Sequence, residues 1–223
     1  EKKNMKIAIL SANLGNFDKP VDPVVQKTKH EVVFHRFTDK NFSPITGLTP
    51  RLQYRIHKLF GWQMFPNYDV YIWLDGSMSF TRPDCVDWFL EQLGDNDIAF
   101  FKHPNRNSIK EEVEHIEQKL KENSKYIVPR YKNGLHREFY DFITQKGYED
   151  KSLYASTSFI YRNNDKVQTF MNMWWLWQSR YYTVDQLAQT YSAEHCKKSL
   201  LLKVKTIEED LFKIPYLSLV SHH

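Results

Sequence analysis

The segment Tyr71–Ser77 places an acid directly after an apolar run, which is the clearest chemical signal in the sequence. The run ends in Asp75, Gly76 and Ser77. In open α/β sheets ligands bind beyond the carboxyl ends of strands, so an acid there can hold a divalent cation through oxygen atoms. Such a cation would stabilise a departing diphosphate as a Lewis acid. The same residues also fit an ordinary Asp-Gly turn, and Ser77 stands where an Asp-x-Asp pair would have its second acid.

Three basic residues, Arg51, Arg55 and Lys58, follow a helix-start signal at Thr49–Pro50. Thr is a favoured N-cap, and Pro is favoured at the first helical position. The spacings of four and three residues put the basic side chains on one helix face. That face could contact an anionic donor, or it could be an ordinary solvated surface.

A second basic group, formed by Lys102, His103 and Arg106, directly follows a predicted strand at Asp97–Phe101. The end of that strand is expected at the same sheet edge as Asp75. A Lys, a His and an Arg in one loop could clamp an anion, and a simple turn explains the segment equally well.

The second half of the chain offers one more acid, Asp185, with Gln186 beside it and Thr183 as a possible cap. An acid in the first turn of a helix is favoured by the helix dipole alone. The spacing therefore favours a structural role for Asp185 over a catalytic one.

Alternating strands and helices must position these residues. The strands are predicted at Lys6–Ser11, Glu31–Phe37, Asp69–Leu74, Asp97–Phe101 and Ser156–Tyr161, and the helices at 51–60, 83–93, 108–123, 135–146, 166–180 and 184–191. This alternation predicts an α/β fold with a single, mostly parallel (mixed) central sheet flanked by helices. No linker divides the chain, so we expect one domain over residues 1–223.

Composition narrows the class of protein. The apolar share of 41% and the charged share of 26% are typical of soluble globular proteins. A net charge of +4 suits a small anionic ligand and is too weak for a nucleic-acid groove.

Cys85 and Cys196 lack zinc-site spacing and indicate free thiols in a reducing, cytoplasmic compartment. No apolar run approaches the roughly 20 residues of a transmembrane helix. Residues 1–4, ahead of Met5, fit a cloning remnant and not a signal peptide.

Several common enzyme motifs are missing from the sequence. It contains no P-loop, no G-x-S-x-G, and no G-x-G-x-x-G after the first strand. No sequence motif therefore supports a function as a kinase, a hydrolase or a Rossmann dehydrogenase.

Four short motifs occur in one order: T-P-R at 49–51, P-N-Y-D-V-Y-I-W-L-D-G at 66–76, F-K-H-P-N-R at 101–106 with E-E at 111–112, and T-V-D-Q-L at 183–187. Together they resemble a glycosyltransferase-like family of the GT-A kind found in plants and bacteria, whose pattern includes W-[IL]-D-G, K-H-P-x-R and R-D-Q-L. The stretch S-A-N-L-G-N-F-D-K-P at 11–20 resembles the N-terminal domain of chlorovirus glycosyltransferases implicated in decorating the major capsid protein. The likeness extends over nearly the whole chain.

The resemblance implies a GT-A-like fold, a UDP-sugar donor and Mn²⁺ (or Mg²⁺). Asp75 falls on the acid of W-[IL]-D-G and becomes the leading metal ligand, with Ser77 beside it. Many GT-A enzymes also take a metal-binding histidine from near the C-terminus, a role that His222 or His223 could fill.

The other positions that match the family pattern are implied to contact the UDP-sugar donor. Lys102, His103 and Arg106 fall on the basic loop of the family pattern. Asp185 and Gln186 fall on its D-Q pair, which implies that Asp185 is a catalytic base or a donor-sugar ligand. Val184 departs from the pattern, because the family usually has Arg before D-Q.

The sequence thus predicts a metal-dependent glycosyltransferase that moves a sugar from a UDP-sugar to a glycan or glycoprotein acceptor, for example a viral capsid glycoprotein in the host cytoplasm. Arg51, Arg55 and Lys58 would contact the donor diphosphate. The nucleoside would be cradled by the loop Ser11, Ala12, Asn13, Leu14, Gly15 and Asn16.

Two other functions remain open. A sugar-phosphate nucleotidylyltransferase shares the sheet architecture but normally has a Gly-rich basic loop, which residues 13–16 lack. A non-catalytic carbohydrate-binding module would explain the 15% aromatic content, but not an acid at a strand end beside a basic loop.

Overall fold

A six-stranded mixed sheet forms the centre of the computed structural model, which describes residues 3–43 and 45–220. The strands, in chain order, are β1 Lys6–Asn13, β2 Glu31–Thr38, β3 Val70–Asp75, β4 Met78–Phe80, β5 Ile98–Lys102, β6 Tyr154–Arg162, β7 Val204–Ile207 and β8 Leu217–Leu219. The main sheet has the order β2-β1-β3-β6-β5-β7. Strand β1 runs parallel to β2 and β3, and β5 runs parallel to β7. Only β6 runs antiparallel to its neighbours within this sheet.

Helices pack on both faces of the sheet. They are α1 Pro50–Met64, α2 Cys85–Leu93, α3 Ile109–Lys121, α4 Val128–Tyr131, α5 Leu135–Gln145, α6 Asp165–Arg180 and α7 Asp185–Ser199. Alternate residues of β3 enter opposite cores, as expected for a buried strand. Trp73 packs in a cluster with residues of α1, α6 and α7, whereas Ile72 packs in a cluster with α2. The predicted α/β class with a mixed central sheet and flanking helices is confirmed.

Helix α1 begins where the sequence predicts. The Thr49 hydroxyl accepts a hydrogen bond from the Leu52 amide, and Pro50 occupies the first turn. The helix lies so close to β1 that a Cβ on Gly61 would stand 2.3 Å from Cδ1 of Leu10. The N-terminal half of α1 reaches the carboxyl end of β3, where the Tyr54 hydroxyl donates a hydrogen bond to Asp75.

Some local predictions need correction. Ser11, Ala12 and Asn13 belong to β1, so only Leu14–Asn16 forms a turn, in which Gly15 and Asn16 have positive φ. Helix α7 extends to Ser199 and not to residue 191. The periodicity of the sequence also misses the short strands β4, β7 and β8, because three or four residues give too little pattern to recognise.

The two-stranded β4-β8 ladder brings the last described residues to the Asp75–Ser77 turn. The Val220 amide donates a hydrogen bond to the Ser77 carbonyl oxygen at 2.8 Å. The predicted metal ligands His222 and His223 lie outside the described residues.

Candidate active site

A cavity of about 380 Å³ opens beyond the carboxyl ends of β1 and β3. It is lined by the end of β1 with the turn that follows, the start of α1, the turn after β3, and the chain around α4. The predicted donor-binding residues on its surface are Ala12, Asn13, Leu14, Gly15, Arg51, Arg55, Asp75, Gly76 and Ser77. Ser11, Asn16 and Lys58 are not among its lining residues.

Asp75 lines the cavity with one carboxylate oxygen already engaged. Its Oδ1 accepts hydrogen bonds from the Tyr54 hydroxyl at 2.6 Å, from Nε1 of Trp73 at 2.7 Å and from Nζ of Lys58 at 3.0 Å. Burial and the adjacent Asp75 charge raise the pKa of Tyr54 well above its ordinary value, so this hydroxyl remains a donor. Within the described part of the chain no hydrogen bond reaches Oδ2, and this side chain is 23% exposed. One oxygen therefore orients the carboxylate while the other is available to a ligand.

The basic face of α1 points largely inward. Lys58 is fully buried, and its Nζ lies 3.0 Å from Oδ1 of Asp75 and 2.9 Å from Oδ2 of Asp185. Arg55 adds a second cation, with Nε at 3.5 Å from the same Asp185 oxygen. We call Arg55, Lys58, Asp75 and Asp185 the buried ion network. Lys58 thus holds two acids together and does not line the cavity.

Asp185 lies at the first position of α7 and is 7% exposed. Burial alone would raise the pKa of its carboxyl. The Arg55 guanidinium and the Lys58 ammonium outweigh burial and hold this pKa well below its ordinary value. Asp185 is therefore ionised at neutral pH and a poor proton acceptor. Gln186 beside it is half-buried, and its Oε1 has no hydrogen-bond partner within the described residues.

Arginine and tyrosine side chains form another part of the cavity surface. The Arg51 guanidinium donates a hydrogen bond to the Tyr131 hydroxyl at 2.8 Å and lies 5.6 Å from the ring centroid of Tyr182. The Arg130 guanidinium stands 3.8 Å from the ring centroid of Tyr126, which is 58% exposed. Such pairs combine positive charge with an aromatic surface.

The basic loop after β5 does not line the cavity. Lys102 is exposed, and the buried His103 accepts hydrogen bonds at Nδ1 from the backbone amides of Asn105 and Arg106. Burial, together with the nearby Arg106 charge, lowers the pKa of His103 to about 4. Arg106 itself forms an ion pair with the buried Glu112. The loop is thus satisfied internally, and the predicted anion clamp by Lys102, His103 and Arg106 stays a prediction.

Asp18 is a cavity residue that sequence reasoning missed. It is 7% exposed, and its backbone is fixed by two hydrogen bonds with the Asn13 side chain, at 2.8 and 3.1 Å. A Cβ on Gly76 would stand 2.5 Å from Oδ2 of Asp18 and 2.6 Å from the Ala12 carbonyl oxygen. A side chain at position 76 would therefore clash with the Ala12 backbone as well as with the acid, which explains the glycine there. Nothing in the spacing between residues 18 and 75 signals this contact.

The side chains on this side of the cavity fit a hard divalent cation. We call Asp18 and Asp75–Ser77 the acidic wall; its side chains offer two carboxylates and a hydroxyl to the cavity. No group of three or more His, Cys, Asp or Glu that could hold a metal occurs among the described residues. Mg²⁺-like ions are usually held by one or two carboxylates, completed by water and substrate phosphates. The wall fits that mode of binding and not an all-protein cage.

The fold and the position of the cavity are consistent with a GT-A-like domain. The model of the TOD1/MUCI70 glycosyltransferase-like domain matches residues 46–215, well over half of the chain. The chain therefore belongs to the TOD1/MUCI70 glycosyltransferase-like family. This match begins just before α1, so β1 and the Asp18 loop lie outside it. No curated protein matches the sequence. None of the described helices is both long and apolar enough to cross a bilayer.

Proposed function

We propose that this protein transfers a sugar from a nucleoside-diphosphate sugar, a UDP-sugar in the first instance, to a glycan or glycoprotein acceptor. The observation that carries the proposal is the composition of the cavity surface. Arg51, Arg55 and Arg130 supply positive charge, while Asp18 and Asp75 supply carboxylates at the strand ends. A diphosphate needs the arginines, and a cation bridging to it needs the acids.

The exposed aromatic residues suit the base of the donor. Phe17 is 50% exposed and Tyr126 is 58% exposed, and both line the cavity. Flat apolar rings at the entrance of a polar cavity favour stacking with a nucleobase. In this arrangement Arg51 and Arg130 contact the diphosphate, and residues 12–15 border the nucleoside.

Asp75, with Ser77, would hold Mn²⁺ or Mg²⁺ at the diphosphate. A bound cation supplies Lewis-acid stabilisation of the leaving nucleoside diphosphate. In the transfer itself the bond between the anomeric carbon and the diphosphate oxygen breaks. The acceptor oxygen bonds to that carbon, and its proton leaves for solvent or a base. The contribution of His222 or His223 stays a prediction.

Asp185 is not among the residues that line the cavity, and the role that we propose for it at the donor sugar is narrower than that of a catalytic base. A carboxylate whose pKa is held far below neutrality is a weak general base. It is well suited to accept hydrogen bonds from sugar hydroxyls or to balance positive charge at the anomeric carbon. We therefore prefer the sugar-ligand role, with Arg55 and Lys58 fixing the orientation of the carboxylate.

Other features of the prediction rest on the sequence alone. They are one catalytic domain over the whole chain, a viral capsid glycoprotein as acceptor, and a cytoplasmic location. Each of them stays a prediction.

Binding of UDP to arginine variants tests the proposed function. We expect Arg51→Met to weaken UDP binding by about tenfold or more, because a charge-assisted contact to a phosphate is lost. Arg82→Met is the matched control, since Arg82 pairs with Asp84 on the exposed surface and does not line the cavity. Isothermal titration calorimetry measures both. Absence of UDP binding, or formation of a nucleotide sugar with pyrophosphate release from UTP and a sugar 1-phosphate, would contradict the proposal.

A further inference from the structure

Asp75 can offer a cation only part of its carboxylate. Three donors occupy Oδ1, and one of them is the Lys58 ammonium. The neighbouring side chain that could help is Ser77, a neutral hydroxyl and a weaker ligand for a hard cation. A divalent cation held mainly by one carboxylate oxygen would bind weakly, so a second charged ligand is expected nearby.

Asp18 occupies the required place. Its Oδ2 lies beside Gly76, the residue between Asp75 and Ser77. A Cβ on Gly76 would stand only 2.5 Å from this oxygen. The two hydrogen bonds with Asn13 fix the Asp18 backbone at the end of β1. The acid is more than nine-tenths buried and yet lines the cavity.

We propose that Asp18 is the second carboxylate ligand of the divalent cation, so that the cation site is assembled from two chain segments, the loop after β1 and the turn after β3. The inference rests on the proposed function, because substrate phosphates complete the coordination. It explains how a chain with Ser77 in place of a second acid can still present two carboxylates to the cation.

Electron paramagnetic resonance of Mn²⁺ tests this inference without relying on turnover. The free-ion signal is titrated with protein in the presence of UDP, for the native protein, Asp18→Asn and Asp22→Asn. Asp22 is the matched control, since it lies four residues away and its side chain is 83% exposed. We expect Asp18→Asn to lower Mn²⁺ affinity by more than about tenfold and Asp22→Asn to leave it unchanged.

A second variant, Asp18→Ala, removes the carboxylate and leaves no amide in its place. It should also lose Mn²⁺ while retaining the circular dichroism spectrum of the native protein. Mn²⁺ affinity that is unchanged in both Asp18→Asn and Asp18→Ala would overturn the inference. Failure of the native protein to bind UDP at all would instead overturn the proposed function, and calorimetry with UDP alone distinguishes the two failures.

Discussion

Asp75 and Asp185 accept hydrogen bonds from the same Lys58 ammonium, yet their surroundings differ. Asp75 is the last residue of β3, and one of its oxygens is available at the cavity. The Asp185 side chain is 10% exposed, stands at the start of α7, and has Arg55 as a second cation. The negative charge of Asp75 is therefore available to a ligand, whereas the negative charge of Asp185 is balanced inside the protein. The comparison separates an acid with an oxygen available to a cation from an acid whose charge Arg55 and Lys58 already balance.

Replacement of the shared cation should have the largest effect. Lys58→Met leaves two carboxylates without their ammonium, one of them deeply buried. Breaking a buried ion pair typically costs about 3–5 kcal/mol of unfolding free energy. Urea denaturation measures the loss. Lys110→Met, at an exposed helix position, serves as the control and should cause no resolvable change. A loss below about 1 kcal/mol in Lys58→Met would show that the network is not structurally important.

Removal of each acid in turn sharpens the comparison. Asp185→Asn should destabilise the protein by about 3 kcal/mol, because Lys58 and Arg55 both lose their buried anion. Asp75→Asn should cost only about 1–2 kcal/mol, because Lys58 keeps Asp185 and the asparagine oxygen still accepts hydrogen bonds. The same urea experiment compares the two variants. Equal losses, or the reverse order, would remove the structural distinction between the two acids.

The dependence of stability on pH gives a third test. The pKa of Asp185 is lower in the folded protein than its ordinary value. Its stabilising contribution is therefore complete above the ordinary pKa of about 3.9 and is lost as the pH falls below it. The difference in unfolding free energy between native protein and Asp185→Asn should be constant from pH 7 to 5 and shrink toward pH 3. A difference that already changes between pH 7 and 6 would point to another group.

The smallest expected effect concerns the aromatic part of the cavity. Tyr126→Ala should weaken UDP binding about fivefold, because one stacking surface is lost. It should leave the urea midpoint unchanged, because the side chain is mostly exposed. Phe212→Ala is a suitable control, since Phe212 is an aromatic residue that is 48% exposed and does not line the cavity. A clear drop in stability with unchanged UDP affinity would show that Tyr126 stabilises the fold and does not bind UDP.

The sequence predicts the elements better than it predicts their polar contacts. The cap at Thr49, the strand before Asp75 and the alternation of strands and helices follow from local signals, and the structure confirms them. The burial of Lys58 could not be predicted, because its partner Asp185 is 127 residues away and spacing carries no information on such a pair. The approach of Asp18 to Gly76 is equally non-local.

The basic loop is a second example of polar contacts that the sequence does not predict. The composition of residues 102–106 suggests an anion clamp, yet His103 serves the backbone of its own loop and Arg106 pairs with Glu112. Residue type predicts what a side chain can do. Which partner it takes depends on the packing of the folded chain.

Calorimetric titration of UDP, with and without Mn²⁺, against native protein, Asp75→Asn and Asp185→Asn tests the central claim most directly. We predict that Mn²⁺ strengthens UDP binding to the native protein and that Asp75→Asn removes this gain. Asp185→Asn should keep UDP affinity within about fivefold of native, because UDP lacks the sugar that Asp185 is proposed to contact, while sugar transfer is lost. Metal-dependent UDP binding that survives Asp75→Asn but disappears in Asp185→Asn would contradict the account.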